Sequence, residues 1–319
     1  MVSREPGGNG MDLVRITFEQ TLILALYVLL GAALFRWKLI REEGVPSMTN
    51  LLLYLVNPLL ILDSFITTAY ETRLVRSMLV VAIFATVIHL LSILVASLLF
   101  RRQQESHRKV MTFCVVFSNC GFFGLPLLHA IAGSEGVFYG AIYIAVFKLF
   151  NWTYGVALMD PAAQKAGGLV KALVNPNTVS ILIGLAFFFT QWKPPQILAS
   201  TFHSIGMMNS PLAMIILGVQ ISAQGVSGFL SSPRVWLTSL TRMLLIPVLA
   251  LGLALLCVKD RTLAACLLCL SAAPAAVIAV LFAGKYGQDV RLSAQIVTLT
   301  TLLSILTTPG IIGVFNSLA

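Results

Sequence analysis

Charge is scarce in this chain. Asp, Glu, Lys and Arg make up only 10% of its 319 residues, 12 acidic and 21 basic. No polar stretch is long enough to form a separate water-soluble domain. A 58% hydrophobic content and a mean hydropathy of +0.93 lie far from the balance of a soluble fold. Catalytic signatures are missing too: there is no HExxH of a metalloprotease, no GxSxG of a serine hydrolase and no DDxxD of prenyl transfer. The chain is therefore not expected to be an enzyme. Cysteine is sparse: Cys114, Cys120, Cys257, Cys266 and Cys269 all lie in or at the edge of apolar runs. Cys266 and Cys269 form a CxxC without a second pair or a polar loop, which argues for small buried side chains rather than metal or redox chemistry. No cofactor or metal is expected.

Long apolar runs fill the space that charge leaves. A membrane-spanning helix needs about 20 mostly apolar residues. By that measure ten spans are expected, at roughly 16–36, 46–66, 75–100, 108–132, 137–159, 176–192, 203–222, 234–258, 262–284 and 290–317. The first is not read as a cleaved signal. Arg4 and Arg15 before it are offset by Glu5 and Asp12, while Arg36, Lys38 and Arg41 follow it at once, the reverse of a secretory charge order.

The loop cations set the expected orientation. With the N-terminus outside, the inner loops hold Arg36, Lys38, Arg41, Arg101, Arg102, Arg108, Lys109, Lys165, Lys171, Arg234, Lys285 and Arg291. The outer side holds Arg4, Arg15, Arg73, Arg76, Lys193, Lys259 and Arg261. Twelve against seven places both termini outside a cell (inner) membrane. These loops account for the net charge of +9, so no nucleic-acid partner is read from it.

Two spans are interrupted by proline at matching places in the two halves. The fourth carries Asn119, Gly121, Gly124 and Pro126; the ninth carries Ser271 and Pro274. Asn57 and Pro58 interrupt the second span, and Ser210 and Pro211 the seventh. Pro58 precedes Pro126 by 68 residues and Pro211 precedes Pro274 by 63. Proline removes an amide donor and clashes with the carbonyl four residues back. In hydrocarbon the opened backbone survives only beside protein or a water-filled cavity. One such proline can be a mere kink, whereas two matched pairs point to the substrate site of a secondary transporter. Five spans per half give an inverted repeat: 1–159, a cytoplasmic linker 160–177 with a short interfacial helix, and 178–319. That arrangement predicts alternating access.

Polar residues within the spans supply the site candidates. Lys148 lies mid-span, with Asn151 and Tyr154 at i+3 and i+6 on one side of the helix, a group able to hold a carboxylate. The plain alternative is a lysine snorkelling to an interface. Half-helices that begin at the breaks would add amides with partial positive charge, lined by Asn119, Gly121 and Ser271, with Gln220 as a further polar contact. Interhelical hydrogen bonding without a ligand is the other use of such residues. His89, mid-span in the third helix, is a candidate proton carrier or else a satisfied core histidine. Arg242 and Asp63 lie nearer helix ends, where snorkelling or an interfacial ion pair competes.

FSNCGFFGLPLL at Phe117 to Leu128, NWTYGVAL at Asn151 to Leu158 and NPN at Asn175 to Asn177 form part of a larger pattern. PLAMIILGVQI at Pro211 to Ile221, SAAPAAVIAVLFAGKYGQD at Ser271 to Asp289 and LTTLLSILTTPG at Leu299 to Gly310 complete it. Together they resemble the auxin efflux carrier family, and within it the compact bacterial permeases that lack a long central hydrophilic loop. The resemblance implies an all-α integral membrane fold with a scaffold domain and a mobile transport domain. Two helices of the transport domain cross at their proline breaks. It also implies efflux or exchange of small organic anions such as malonate, malate or auxin-like carboxylates. It would put Asn119, Pro126 and Pro274 at the crossover and match Asn151 to a substrate-facing asparagine. A small organic anion and the lipid bilayer are the expected partners; a homodimer and coupling to H+ or Na+ stay open. A sodium symporter of the bile-acid type would share the ten-helix architecture, and a channel can also be lined by broken helices.

Overall fold

The computed structural model describes residues 10–159, 176–223 and 229–318, and these are helical apart from short connections. Among them, seven helical stretches are long and apolar enough to cross a membrane: Asp12–Arg36, Glu42–Thr67, Thr72–Leu99, Cys120–Met159, Gln196–Ala223, Pro233–Cys257 and Val290–Leu318. Pro176–Thr190 and Arg261–Ala272 are shorter apolar helices. The long stretches keep many aliphatic side chains on the outside: Leu26, Leu79, Leu94, Leu256 and Leu306 are all exposed. On a soluble protein such a surface would be an aggregation hazard; here it faces hydrocarbon. The expected linker with its interfacial helix lies almost wholly outside the described residues.

In chain order the α-helices are α1 Gly10–Arg36, α2 Val45–Leu51, α3 Asn57–Thr67, α4 Thr72–Leu99, α5 Glu105–Val116, α6 Leu125–Phe150 and α7 Val156–Met159. They continue with α8 Pro176–Thr190, α9 Gln196–Gly206, α10 Asn209–Ala223, α11 Pro233–Leu240, α12 Ile246–Cys257, α13 Arg261–Ala272, α14 Ile278–Lys285 and α15 Val290–Leu318. The 40-residue stretch Cys120–Met159 would be about 60 Å long if straight, twice a hydrocarbon core. It folds back on itself at Gly133, whose φ of 55° suits a residue without a Cβ. The return is tight enough that a Cβ on Gly140 would strike Leu125.

Polar contacts collect at two opposite ends. At one, Arg234 donates to Gln103 (3.3 Å), Gln288 to the Met159 carbonyl (3.0 Å), and His107 lies 3.5 Å from Asp289. At the other, Arg73 binds Glu135 (2.9 Å) and Asp260 (3.1 Å), Arg261 donates to the Asn316 carbonyl, and His203 meets Asp63 at 2.9 Å. Lys285 therefore belongs with the first end and Lys259 with the second. Between the ends, α1 and α10 cross at backbone distance. A Cβ on Gly31 would collide with the backbone of Ile215, and one on Gly218 with that of Val28. This is the small-residue packing that lets membrane helices approach closely.

The prolines of the second, fourth and eighth spans do not open the backbone. A π-helical turn comes just before each: Leu52–Val56 before Asn57 and Pro58, Cys120–Gly124 before Leu125 and Pro126, Thr241–Leu245 before Ile246 and Pro247. In each, the residue before proline donates five residues back, as Asn57 does to Leu52 and Leu125 to Cys120. One extra residue in the turn moves aside the carbonyl that the pyrrolidine ring would strike, so the helix continues. Pro58, Gly124 and Pro126 thus lie in unbroken helical backbone, contrary to the expectation from sequence. Pro211 likewise sits in the first turn of α10, and the seventh span is interrupted earlier, at Met207 and Met208.

Candidate transport site at the helix crossover

The true breaks lie at Phe117–Asn119 and Ala273–Val277. α5 ends at Val116, and Phe117 is extended (φ −101°, ψ 108°). α13 ends at Ala272; Ala273 is extended (φ −61°, ψ 148°), as the steric demand of the following Pro274 requires. The two openings satisfy one another. Asn119 donates its backbone N–H to the Pro274 carbonyl (2.7 Å), and Ala276 donates to Phe117 (2.9 Å), an antiparallel bridge centred on Ser118 and Ala275. From α15, Thr300 accepts from the Ala275 N–H (3.2 Å) and Thr308 donates to the Ala272 carbonyl (3.2 Å). Such pairing lets irregular backbone persist where no water reaches it.

Helix resumes at Cys120 on one side of the crossing and at α14 on the other, leaving two helix N-termini beside a cavity of about 70 Å³. That is room for a few waters or a small ligand. Its walls come from Thr49 to Asn57, Ser118 to Phe122, Ile144 to Lys148, Asn177, Ala213 to Gln220 and Ala276 to Leu281. Leading N–H groups of a helix have no intrahelical acceptor and carry about half a positive charge. Lys148 adds an ammonium that makes no ion pair among the described residues; its Nζ stands 6.0 Å from the centre of the Phe147 ring. Residues that line the cavity also carry buried polar atoms without a protein partner: Asn119 Nδ2, Ser118 Oγ, Asn57 Oδ1, Thr49 Oγ1 and Gln220 Oε1. Unmade hydrogen bonds of this kind are costly in a closed core and are met by a ligand or water.

The residues singled out from the sequence separate into two groups. Asn57, Asn119, Gly121, Lys148 and Gln220 share the cavity wall. Asn151, Tyr154 and Ser271 do not. A π-helical turn, Asn151–Gly155, begins immediately after α6, so the regular helical spacing that would align Lys148, Asn151 and Tyr154 does not hold. Asn151 is fully buried with both amide atoms unpartnered, and Tyr154 packs half-buried against the core. Ser271 turns its hydroxyl back to the Leu267 carbonyl (2.9 Å). His89 also lies away from the cavity: Nδ1 donates to the Ala85 carbonyl (2.6 Å), the ring stacks on Phe150, and Nε2 is buried without a partner.

Arg242 carries more of this site than its sequence position suggests. It is buried, not snorkelling, and its guanidinium reaches the carbonyls of Val115 (3.0 Å), Ser271 (2.5 Å) and Ala273 (3.0 and 3.1 Å). Two of these carbonyls close α13 and the third closes α5. The only sequence signal was an arginine inside an apolar span with no acidic residue close to it in sequence.

A broken-helix crossing beside a cationic cavity is carrier geometry, and comparison with known proteins agrees. A family model described as membrane transport protein matches residues 16–169 and 166–312. The chain belongs to the auxin efflux carrier family. It is 25% identical over 300 residues to an uncharacterized transporter of Methanothermobacter thermautotrophicus, covering 91% of this chain and 96% of that one. A Rhizobium meliloti protein provisionally named a malonate transporter is 20% identical over 284 residues, covering 86% and 88%. An uncharacterized transporter of Methanocaldococcus jannaschii is 21% identical over 306 residues, covering 91% and 96%. The protein is thus a multi-pass membrane transporter whose cargo is a small molecule.

Proposed function

We propose that this transporter carries small organic anions, mono- or dicarboxylates of the size of malonate, malate or an auxin-like acid, by alternating access. One observation carries the reading: the crossover cavity gathers Lys148, two helix N-termini and the Asn119 amide, with no carboxylate among its lining residues. A cavity that concentrates donors and positive charge, with no internal anion to neutralise it, is suited to a bound carboxylate. Asn119, Gly121, Lys148 and Gln220 are its proposed contacts. The Rhizobium meliloti relative's name favours malonate as the first cargo to test.

The mechanism follows from where the cavity lies. The lining parts of α2, α6, α10 and α14 all run toward the end that holds Lys285 and Arg234, and we propose that the site opens to that end, taken as cytoplasmic. We assign the close-packed α1–α10 pair, with the second and sixth spans, to a scaffold. The crossing helices move against it as a transport domain, elevator-like, within a ten-span inverted 5+5 repeat divided at 160–177. Both termini are then extracytoplasmic in an inner membrane.

Counterflow in proteoliposomes tests this. Vesicles loaded with unlabelled malonate should accumulate labelled malonate faster than empty ones, and Lys148→Gln should abolish the difference while inserting normally. Equal uptake with and without internal malonate would identify a channel. Normal counterflow in Lys148→Gln would remove the ammonium from the site.

A further inference from the structure

We propose that Arg242 is the fixed counter-charge of the crossover, a positioning residue that holds the two opened helices at their crossing without itself facing the cargo. α5 and α13 end head-on at the centre of the molecule, and each C-terminus concentrates about half a negative charge in its last carbonyls. Two such ends brought together in a buried region repel, and their orphan carbonyls lack donors. The guanidinium meets both needs. It is buried, its hydrogen bonds among the described residues all go to backbone carbonyls, and it spans from Val115 on one helix to Ser271 and Ala273 on the other. It makes no ion pair with a carboxylate among the described residues, so its charge is neutralised by the helix ends themselves. It does not line the cavity, whose cationic side chain is Lys148. The crossover thus has cations on two sides: one opposite the helix C-termini that stays, and one beside the N-termini that can exchange its anion. A planar fork with several donors bridges carbonyls from two helices; the point charge of lysine reaches fewer of them.

The test reads stability and local accessibility, so it stands apart from the identity of the cargo. Thermal unfolding of the purified full chain is compared for the parent, Arg242→Ala, Arg242→Gln and Arg242→Lys. Each is measured with low-millimolar guanidinium chloride and with equal choline chloride. Arg242→Ala should melt about 5 °C or more below the parent. Guanidinium, but not choline, should restore part of that loss saturably and leave the parent unchanged. Arg242→Lys should melt above Arg242→Gln because charge as well as donors is required. Cys120, buried at the break, should become reactive to a maleimide in Arg242→Ala, with the other cysteines replaced, and lose that reactivity in guanidinium. The proposal is overturned if Arg242→Ala melts with the parent, if Arg242→Gln melts at or above Arg242→Lys, or if guanidinium restores no more than choline. Where Arg242→Ala does not accumulate, the order of the lysine and glutamine variants decides.

Discussion

Asn119 and Pro274 are joined by a 2.7 Å backbone hydrogen bond across the middle of the molecule. Through it the break in the first half supplies the donor for the break in the second, and Ala276 returns a bond to Phe117. Neither opening would be tolerable alone in a dry environment, because each would expose unpaired backbone. The two halves therefore specify one site jointly, and any change that closes one helix orphans groups in the other.

The division between cavity and core gives a paired test at two asparagines. Asn119 lines the cavity with its Nδ2 unbonded, and Asn151 is fully buried outside it. Asn119→Ala should leave thermal stability within about 0.5 kcal/mol of the parent, since no protein hydrogen bond is lost. It should abolish stabilisation by added malonate. Asn151→Ala should keep that stabilisation. The reverse pattern would return the anion to the side chain that family resemblance favours.

How far the sequence could be read depends on what each residue type determines locally. The apolar runs dictate helices: the described residues are helical through most of the expected spans, with seven stretches long and apolar enough to cross a membrane where ten spans were expected. Pro274 also marks a real opening. Pro126 misleads: proline states that a helix must adjust, not how, and a π-helical turn at Cys120–Gly124 absorbs the ring without opening the chain. The same kind of turn after Phe150 breaks the i, i+3, i+6 alignment on which the Lys148, Asn151 and Tyr154 grouping rested. Arg242 was illegible for a different reason. Its partners are backbone carbonyls, which have no signature in a sequence.

The arrangement of the two ends predicts sidedness. In a background without native cysteine, Lys285→Cys and Lys259→Cys should react with an impermeant maleimide from opposite faces of the membrane, Lys259→Cys in intact cells and Lys285→Cys only after permeabilisation. Labelling of both from one face contradicts the fold. Exchanged faces keep the fold and reverse the proposed orientation.

The α1–α10 crossing should be intolerant of bulk. Gly218→Leu places a side chain where the Val28 backbone already stands and should destabilise by about 1–3 kcal/mol or more. Gly252 is exposed on α12 with nothing within 4 Å of an added Cβ, so Gly252→Ala should not destabilise and should gain up to about 1 kcal/mol from helix propensity. Chemical or thermal unfolding in detergent checks both. If this pair is the scaffold, Gly218→Leu should also slow transport; unchanged stability in that variant would mean the two helices can separate freely.

The last prediction separates the two prolines at the crossover region. Pro274 stands in the opening itself and forces Ala273 into extended backbone, so Pro274→Ala removes the steric reason for α13 to stop at Ala272. A helix continued through residue 274 would take up the carbonyls that Asn119 and Arg242 now contact. Counterflow should fall at least about tenfold, a barrier change of about 1.4 kcal/mol. Pro126 lies within continuous helix, after a turn already widened to hold it. Pro126→Ala can at most let that turn tighten, leaving the openings at Phe117–Asn119 and Ala273–Val277 in place, and should keep most of the parent's exchange. Equal loss in both variants would mean that the widened turn at Cys120–Gly124, and not the opened backbone alone, shapes the cavity for its cargo.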